Sequence, residues 1–141
     1  PVAFRFTKPK AEGFDFSFSG LKTNFLYFIR DNLVKDKNFI ENNKNDLCAS
    51  LQRTIIEILL EKCIKAAEAT GIQEIAIAGG VSANSGLRKA FSEEATKRKW
   101  ALYIPDLRYT TDNAAMIAIT GYYKYLAGDF AEQDIIPLAK L

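Results

Sequence analysis

Three short segments of this 141-residue chain carry side chains placed for chemistry. The first is Gly79-Gly80-Val81-Ser82-Ala83-Asn84, between an apolar run and an amphipathic one. Two glycines there allow a tight turn and close approach of a ligand to the backbone. A helix beginning after them points free N–H groups and a partial positive charge at the same spot. Ser82 and Asn84 add side-chain donors and acceptors. The chemistry this suits is contact with a nucleotide or ribose at the rim of an α/β sheet, with Gly79, Gly80, Ser82 and Asn84 as the substrate-binding residues. The plainer reading is a turn in which Ser82 or Asn84 caps a helix.

The second segment is Thr110-Thr111-Asp112-Asn113. Asp112 in a first helical turn favours the helix dipole, with Thr111 as the cap. A carboxylate at such a tip can equally hold a divalent metal or a water. Two successive strand–loop–helix units would place Asn84 and Asp112 on one rim. The third segment, Asp15-Phe16-Ser17-Phe18-Ser19-Gly20-Leu21-Lys22-Thr23, sets hydroxyls, a glycine and a lysine at a helix start. It could steer an anion, or be an ordinary capped start with a solvated lysine. Lys97-Arg98-Lys99 reads as a basic helix end, and Tyr122, Tyr123 and Tyr125 as packing residues.

Composition narrows the chemistry. The chain has no histidine, so it holds no Ser-His-Asp or Cys-His unit and no HExxH zinc site. Hydrophobic residues make up 48% and charged residues 26%, a globular balance. A net charge of +2 does not mark a dedicated nucleic-acid or membrane-surface binder. No apolar run reaches the ~20 residues of a membrane span, and no signal peptide is visible. The chain begins with Pro1 and its lone methionine is Met116, which suggests a processed or cut piece. Cys48 and Cys63 fall in one predicted helix, about 22 Å apart, too far to pair. They read as two buried thiols of a reduced, cytoplasmic protein.

The elements that must position these residues follow from periodicity. A lead-in with a short extended piece at 14–18 precedes a helix over about 20–34, capped by Ser17 or Ser19. Residues 35–45 read as an exposed loop. A long helix over about 46–70 ends at Gly71. Glu74-Ile-Ala-Ile-Ala-Gly-Gly80 fits a parallel-type strand buried on both faces. A helix over about 84–99 with Leu87, Phe91 and Ala95 inward, a strand at 101–104 and a helix over about 111–126 complete the order. The small residues Ala114, Ala115, Ala118 and Gly121 permit close approach to a sheet or helix. The tail is expected to dock through Ile135, Ile136 and Leu138. The pattern α-α-β-α-β-α is α/β, helix-rich with a short, incomplete parallel sheet. Residues 1–45 form a lead-in loop and helix, and 46–141 the α/β half-lobe of one compact domain. Two strands make a poor sheet, so its remainder is expected in absent sequence or a partner chain.

Taken together, DFSFSGLKT (15–23), AGGVSANSGLR (78–88) and TDNAAMIA (111–118) resemble the C-terminal part of the TsaD family, the tRNA threonylcarbamoyladenosine transferases, formerly labelled glycoproteases. The resemblance implies the later part of a lobe of the actin/Hsp70/sugar-kinase (ribonuclease H-like) fold. It implies transfer of a threonylcarbamoyl group from its adenylate to the adenosine beside the anticodon of ANN-reading tRNAs, with an actin-like paralogue and a small ATPase as partner proteins. It places the family's substrate-binding asparagine on Asn84 and its metal-binding aspartate on Asp112, the metal being iron or zinc. The family's histidine pair and adenylate-binding glycine loops match nothing in this chain. The piece alone is therefore expected to be inactive and metal-free, with self-association through its open edge possible. Other readings are an ATPase or phosphotransferase of the same fold group, separated by the DFSFSGLKT and TDN segments, and a non-catalytic interaction module. Intrinsic peptidase activity is disfavoured because the chain offers no activated nucleophile.

Overall fold

A computed structural model describes residues 3–136. Four α-helices and two short strands follow one another as α1 (Ser19–Leu33), α2 (Phe39–Thr70), β1 (Glu74–Ala76), α3 (Ser85–Arg98), β2 (Ala101–Tyr103) and α4 (Ala114–Ala127). The expected α-α-β-α-β-α order is present. Single 3-10 turns at Gly80–Ala83 and Leu107–Tyr109 follow the two strands.

The lead-in and the first two helices share one core. Phe6, Leu21, Leu47 and Ile58 are buried together, with Phe4, Phe25, Phe28 and Phe39 packed around them. Phe6 meets Phe25 and Phe28 edge to face, with ring centres 5.2 and 5.4 Å apart. Polar contacts seat the lead-in on α2. The Phe4 amide donates to Ser50 Oγ, and Lys62 Nζ donates to the carbonyls of Ala11 and Gly13. Lys8 pairs with Glu57 and Glu61.

Several local expectations are corrected here. No extended element forms at 14–18, and α1 starts at Ser19 behind Phe18 without a side-chain cap. Neither Ser17 nor Ser19 serves as that cap; Ser19 is the first helical residue. The segment read as a loop up to Asn45 is helical from Phe39 onward. Phe39 packs against Phe4 and Phe28, a gain that polar Glu41–Asn45 conceals from local inspection. The Asp36 carboxylate accepts from the Asn38 amide just before the helix. Gly71 ends α2 in the left-handed conformation, as expected. Cys48 and Cys63 are both free on α2, yet Cys48 is exposed rather than buried.

The strands pair in parallel, Glu74 against Ala101 and Ala76 against Tyr103. Their expected burial on both faces is not found, since only their central residues, Ile75 and Leu102, are half-buried. A pair this narrow has a helix layer on one side only: α3 packs on β2 and α2, burying Leu87, Phe91 and Ala95 as the periodicity predicts. Helix α4 buries none of its residues. Its small-residue stripe makes no close approach, and Tyr122, Tyr123 and Tyr125 are exposed instead of packed. Ile135 and Ile136 are likewise exposed rather than docked, and Leu138 lies outside the described residues. No helix among the described residues is long and apolar enough to cross a membrane.

Candidate functional site

Parallel pairing sends both strand-exit loops off the same edge of the sheet. The ladder ends where the Ile77 amide donates to the Tyr103 carbonyl. Beyond it, Gly79 adopts φ +80°, a conformation side chains rarely take, and this turns the chain into the 3-10 turn. Gly80 needs no such freedom, and a Cβ there would meet open space. Its value at this turn is an uncovered backbone.

Ser82 is 1% exposed, and its hydroxyl finds no hydrogen-bond partner among the described residues. Such an orphan costs about 1–3 kcal/mol. Asn84 is the N-cap of α3: its Oδ1 accepts from the Leu87 amide at 3.0 Å. Its Nδ2 donates to Gln52 Oε1 on α2 at 2.9 Å. The capping reading and the ligand reading therefore concern the same side chain, with both ends of its amide already held. Gly86 makes this possible, since a Cβ there would come within 3.0 Å of Gln52 Nε2 and 3.2 Å of Asn84 Oδ1. An apolar cleft of about 350 Å³ opens beside Asn84, walled by Leu51, Ile55, Leu59 and Val81.

The second loop is organised by Asp106, whose carboxylate accepts from the Arg108 amide at 3.4 Å. Thr110 is buried, and its hydroxyl donates to the Leu107 carbonyl. Asn113, not Thr111, caps α4, with Oδ1 accepting from the Met116 amide. Asp112 thus precedes the helix rather than sitting in its first turn. It is exposed, and no side-chain bond or ion pair holds it among the described residues. Lys22 lies at the mouth of a further apolar cleft with Phe18, Phe25 and Leu59.

The chain's donor set does not fit a metal ion by itself. Among the described residues no three of His, Cys, Asp and Glu are grouped for one, and the sequence supplies no imidazole to join Asp112. Burial pushes the Cys63 thiol up, away from the reactive thiolate.

The roles of Gln52, Gly86 and Arg88 are not visible in the sequence. Their contacts join segments far apart in the chain, and no local spacing signals them. Arg88 Nε donates to the Ser82 carbonyl at 2.6 Å and its Nη2 to the Pro105 carbonyl at 2.8 Å, so one side chain touches both loops.

The family profile described as TsaD, tRNA N6-adenosine threonylcarbamoyltransferase, matches residues 2–119. The chain belongs to the TsaD family. It is 57% identical over its whole length to the tRNA N6-adenosine threonylcarbamoyltransferase of Porphyromonas gingivalis, covering 41% of that protein. Relatives of the same name from Phocaeicola vulgatus and Riemerella anatipestifer are each 59% identical, over 95% and 99% of the chain. The chain spans about 40% of the length of these TsaD proteins. TsaD has the actin-like fold, and a helix-rich piece with a two-strand parallel sheet accords with part of one lobe.

Proposed function

We propose that this chain is the C-terminal portion of an enzyme that transfers a threonylcarbamoyl group from threonylcarbamoyl-adenylate to the adenosine beside the anticodon of ANN-reading tRNAs. Identity of 57% over the full chain supports the reading. The observation that carries it is the common edge from which the GGVSAN and TDN loops leave two parallel strands.

In the reaction the adenosine amine attacks the carbamoyl carbon. The bond from that carbon to the phosphate oxygen breaks, the nucleotide leaves, and the amine loses a proton. The work left to this chain is placement. The open backbone at Gly79–Gly80 allows the adenylate to lie close, and the N-terminus of α3 faces the same rim with its partial positive charge. Asn84 is held by Leu87 and Gln52 at the entrance, and Ser82 lies buried in the turn with its hydroxyl unpartnered among the described residues. Asp112 stands free on the neighbouring loop. Iron or zinc, which the family resemblance implies, would need ligands from outside this chain beside Asp112. The remaining length of the protein supplies the facing wall, against which the lead-in loop and helix of 1–45 and the α/β half-lobe of 46–141 work as one compact domain.

The same reading assigns tRNA as the acceptor, an actin-like paralogue and a small ATPase as partners, and a cytoplasmic location. The uncovered face of α4 supports self-association of the piece when it is separated from that wall.

The test is transfer of labelled threonylcarbamoyl to tRNA by the intact enzyme. Asp112→Ala is expected to abolish transfer without loss of folding, because the exposed side chain makes no hydrogen bond or ion pair among the described residues. Unaltered transfer by that variant would remove Asp112 from the site.

A further inference from the structure

Past the last ladder bond, Arg88 is the hydrogen-bonded link between the two strand-exit loops among the described residues. It stands in the first turn of α3, its own amide donating to the Asn84 carbonyl at 3.0 Å. Its planar fork reaches Ser82 on one loop and Pro105 on the other from two separate nitrogens held in fixed geometry, which the flexible, compact ammonium of lysine does not reproduce. No carboxylate pairs with it among the described residues, and its side-chain hydrogen bonds go to the two carbonyls. The segment from Asp106 to Thr110, which leads to Asp112, is braced by the Asp106 carboxylate and by buried Thr110. A shift at Pro105 therefore displaces the start of the loop that leads to Asp112, and a shift at Ser82 the turn that leads to Asn84.

We infer that Arg88 is a positioning residue that sets the separation of the Asn84 and Asp112 loops for transfer. The inference rests on the function proposed above. It assigns Arg88 no contact with substrate.

The experiment compares Arg88→Lys and Arg88→Ala with the unaltered intact enzyme. It measures kcat, KM for tRNA, the thermal midpoint, and amide exchange at residues 79–84 and 106–113. Arg88→Lys is expected to lower kcat on the order of 100-fold, as a displacement near 1 Å can. KM for tRNA and the midpoint should stay near native, while exchange quickens in both loops together. A merely structural arginine would lower activity only in proportion to folded protein, and that result overturns the proposal. So does native kcat in Arg88→Lys. If Arg88→Ala fails to fold, the lysine variant decides. An unaltered enzyme without transfer activity would defeat the functional reading instead, and the exchange data would still decide whether Arg88 couples the loops.

Discussion

The two strand–loop–helix units of this chain are built alike and packed differently. Each helix opens on an asparagine whose Oδ1 accepts from an amide three residues on, at 3.0 Å for Asn84 and 3.1 Å for Asn113. Each closes on a left-handed residue, Lys99 or Gly128. Yet α3 buries Leu87, Phe91 and Ala95, while α4 buries nothing. Caps and periodicity are thus enough to define a helix and not enough to dock it. Docking needs a partner surface. For α3 that surface is α2, approached closely at Gly86. For α4 no such surface is present among the described residues, and Ile117 remains 77% exposed.

The sharpest way to break this contrast is a matched truncation in the two helices. Phe91→Ala should cost about 3–5 kcal/mol in denaturant unfolding, the usual range for a buried aromatic. Ile117→Ala should stay within about 0.5 kcal/mol, as for an exposed site. Equal losses would mean that α4 is docked after all.

The caps give a finer comparison. Asn84→Ala should lower global stability by about 1 kcal/mol through loss of the α3 cap. Asn113→Ala removes an equivalent bond, but its effect should appear as faster amide exchange in α4 with the global midpoint unmoved. Asn84→Asp keeps the accepting oxygen and loses the donor to Gln52. It should retain the cap and lose transfer in the intact enzyme, which separates folding from function at one position.

The smallest effect concerns the seat of the lead-in on α2. Hydrogen bonds from Arg53 and then Lys8 hold the Glu57 carboxyl below its ordinary range. A depressed carboxylate stabilises the fold above its unfolded value, and that gain is lost as pH falls through the folded one. The group is more than a third exposed, so the gain is only about 0.5 kcal/mol. Glu57→Gln should remove that part of the acid dependence below about pH 4.5 and leave stability at neutral pH lower by the same small amount. An unchanged acid profile would show that the pair contributes nothing.

How much of this was legible in the sequence follows the same division. Helix α3 and its inward residues were readable, because Leu87, Phe91 and Ala95 repeat at helical spacing and Asn84 is a strong cap. The left-handed end at Gly71 was readable for a similar local reason. The start of α2 was not, since Phe39 is recruited by Phe4 and Phe28 from elsewhere in the chain. The small residues of α4 announced a close approach that is not found among the described residues. At the site, the loop residues stood out by type, whereas the Gln52–Asn84 bond across 32 positions and the Arg88 span have no local pattern.

The two strand-exit loops face one rim. A spin label on Asp112→Cys, in a background with Cys48→Ser and Cys63→Ser, tests it through relaxation of backbone amide signals. Strong broadening at residues 79–84 is the result predicted. Sharp, unshifted signals at Gly79, Gly80 and Asn84 would contradict it.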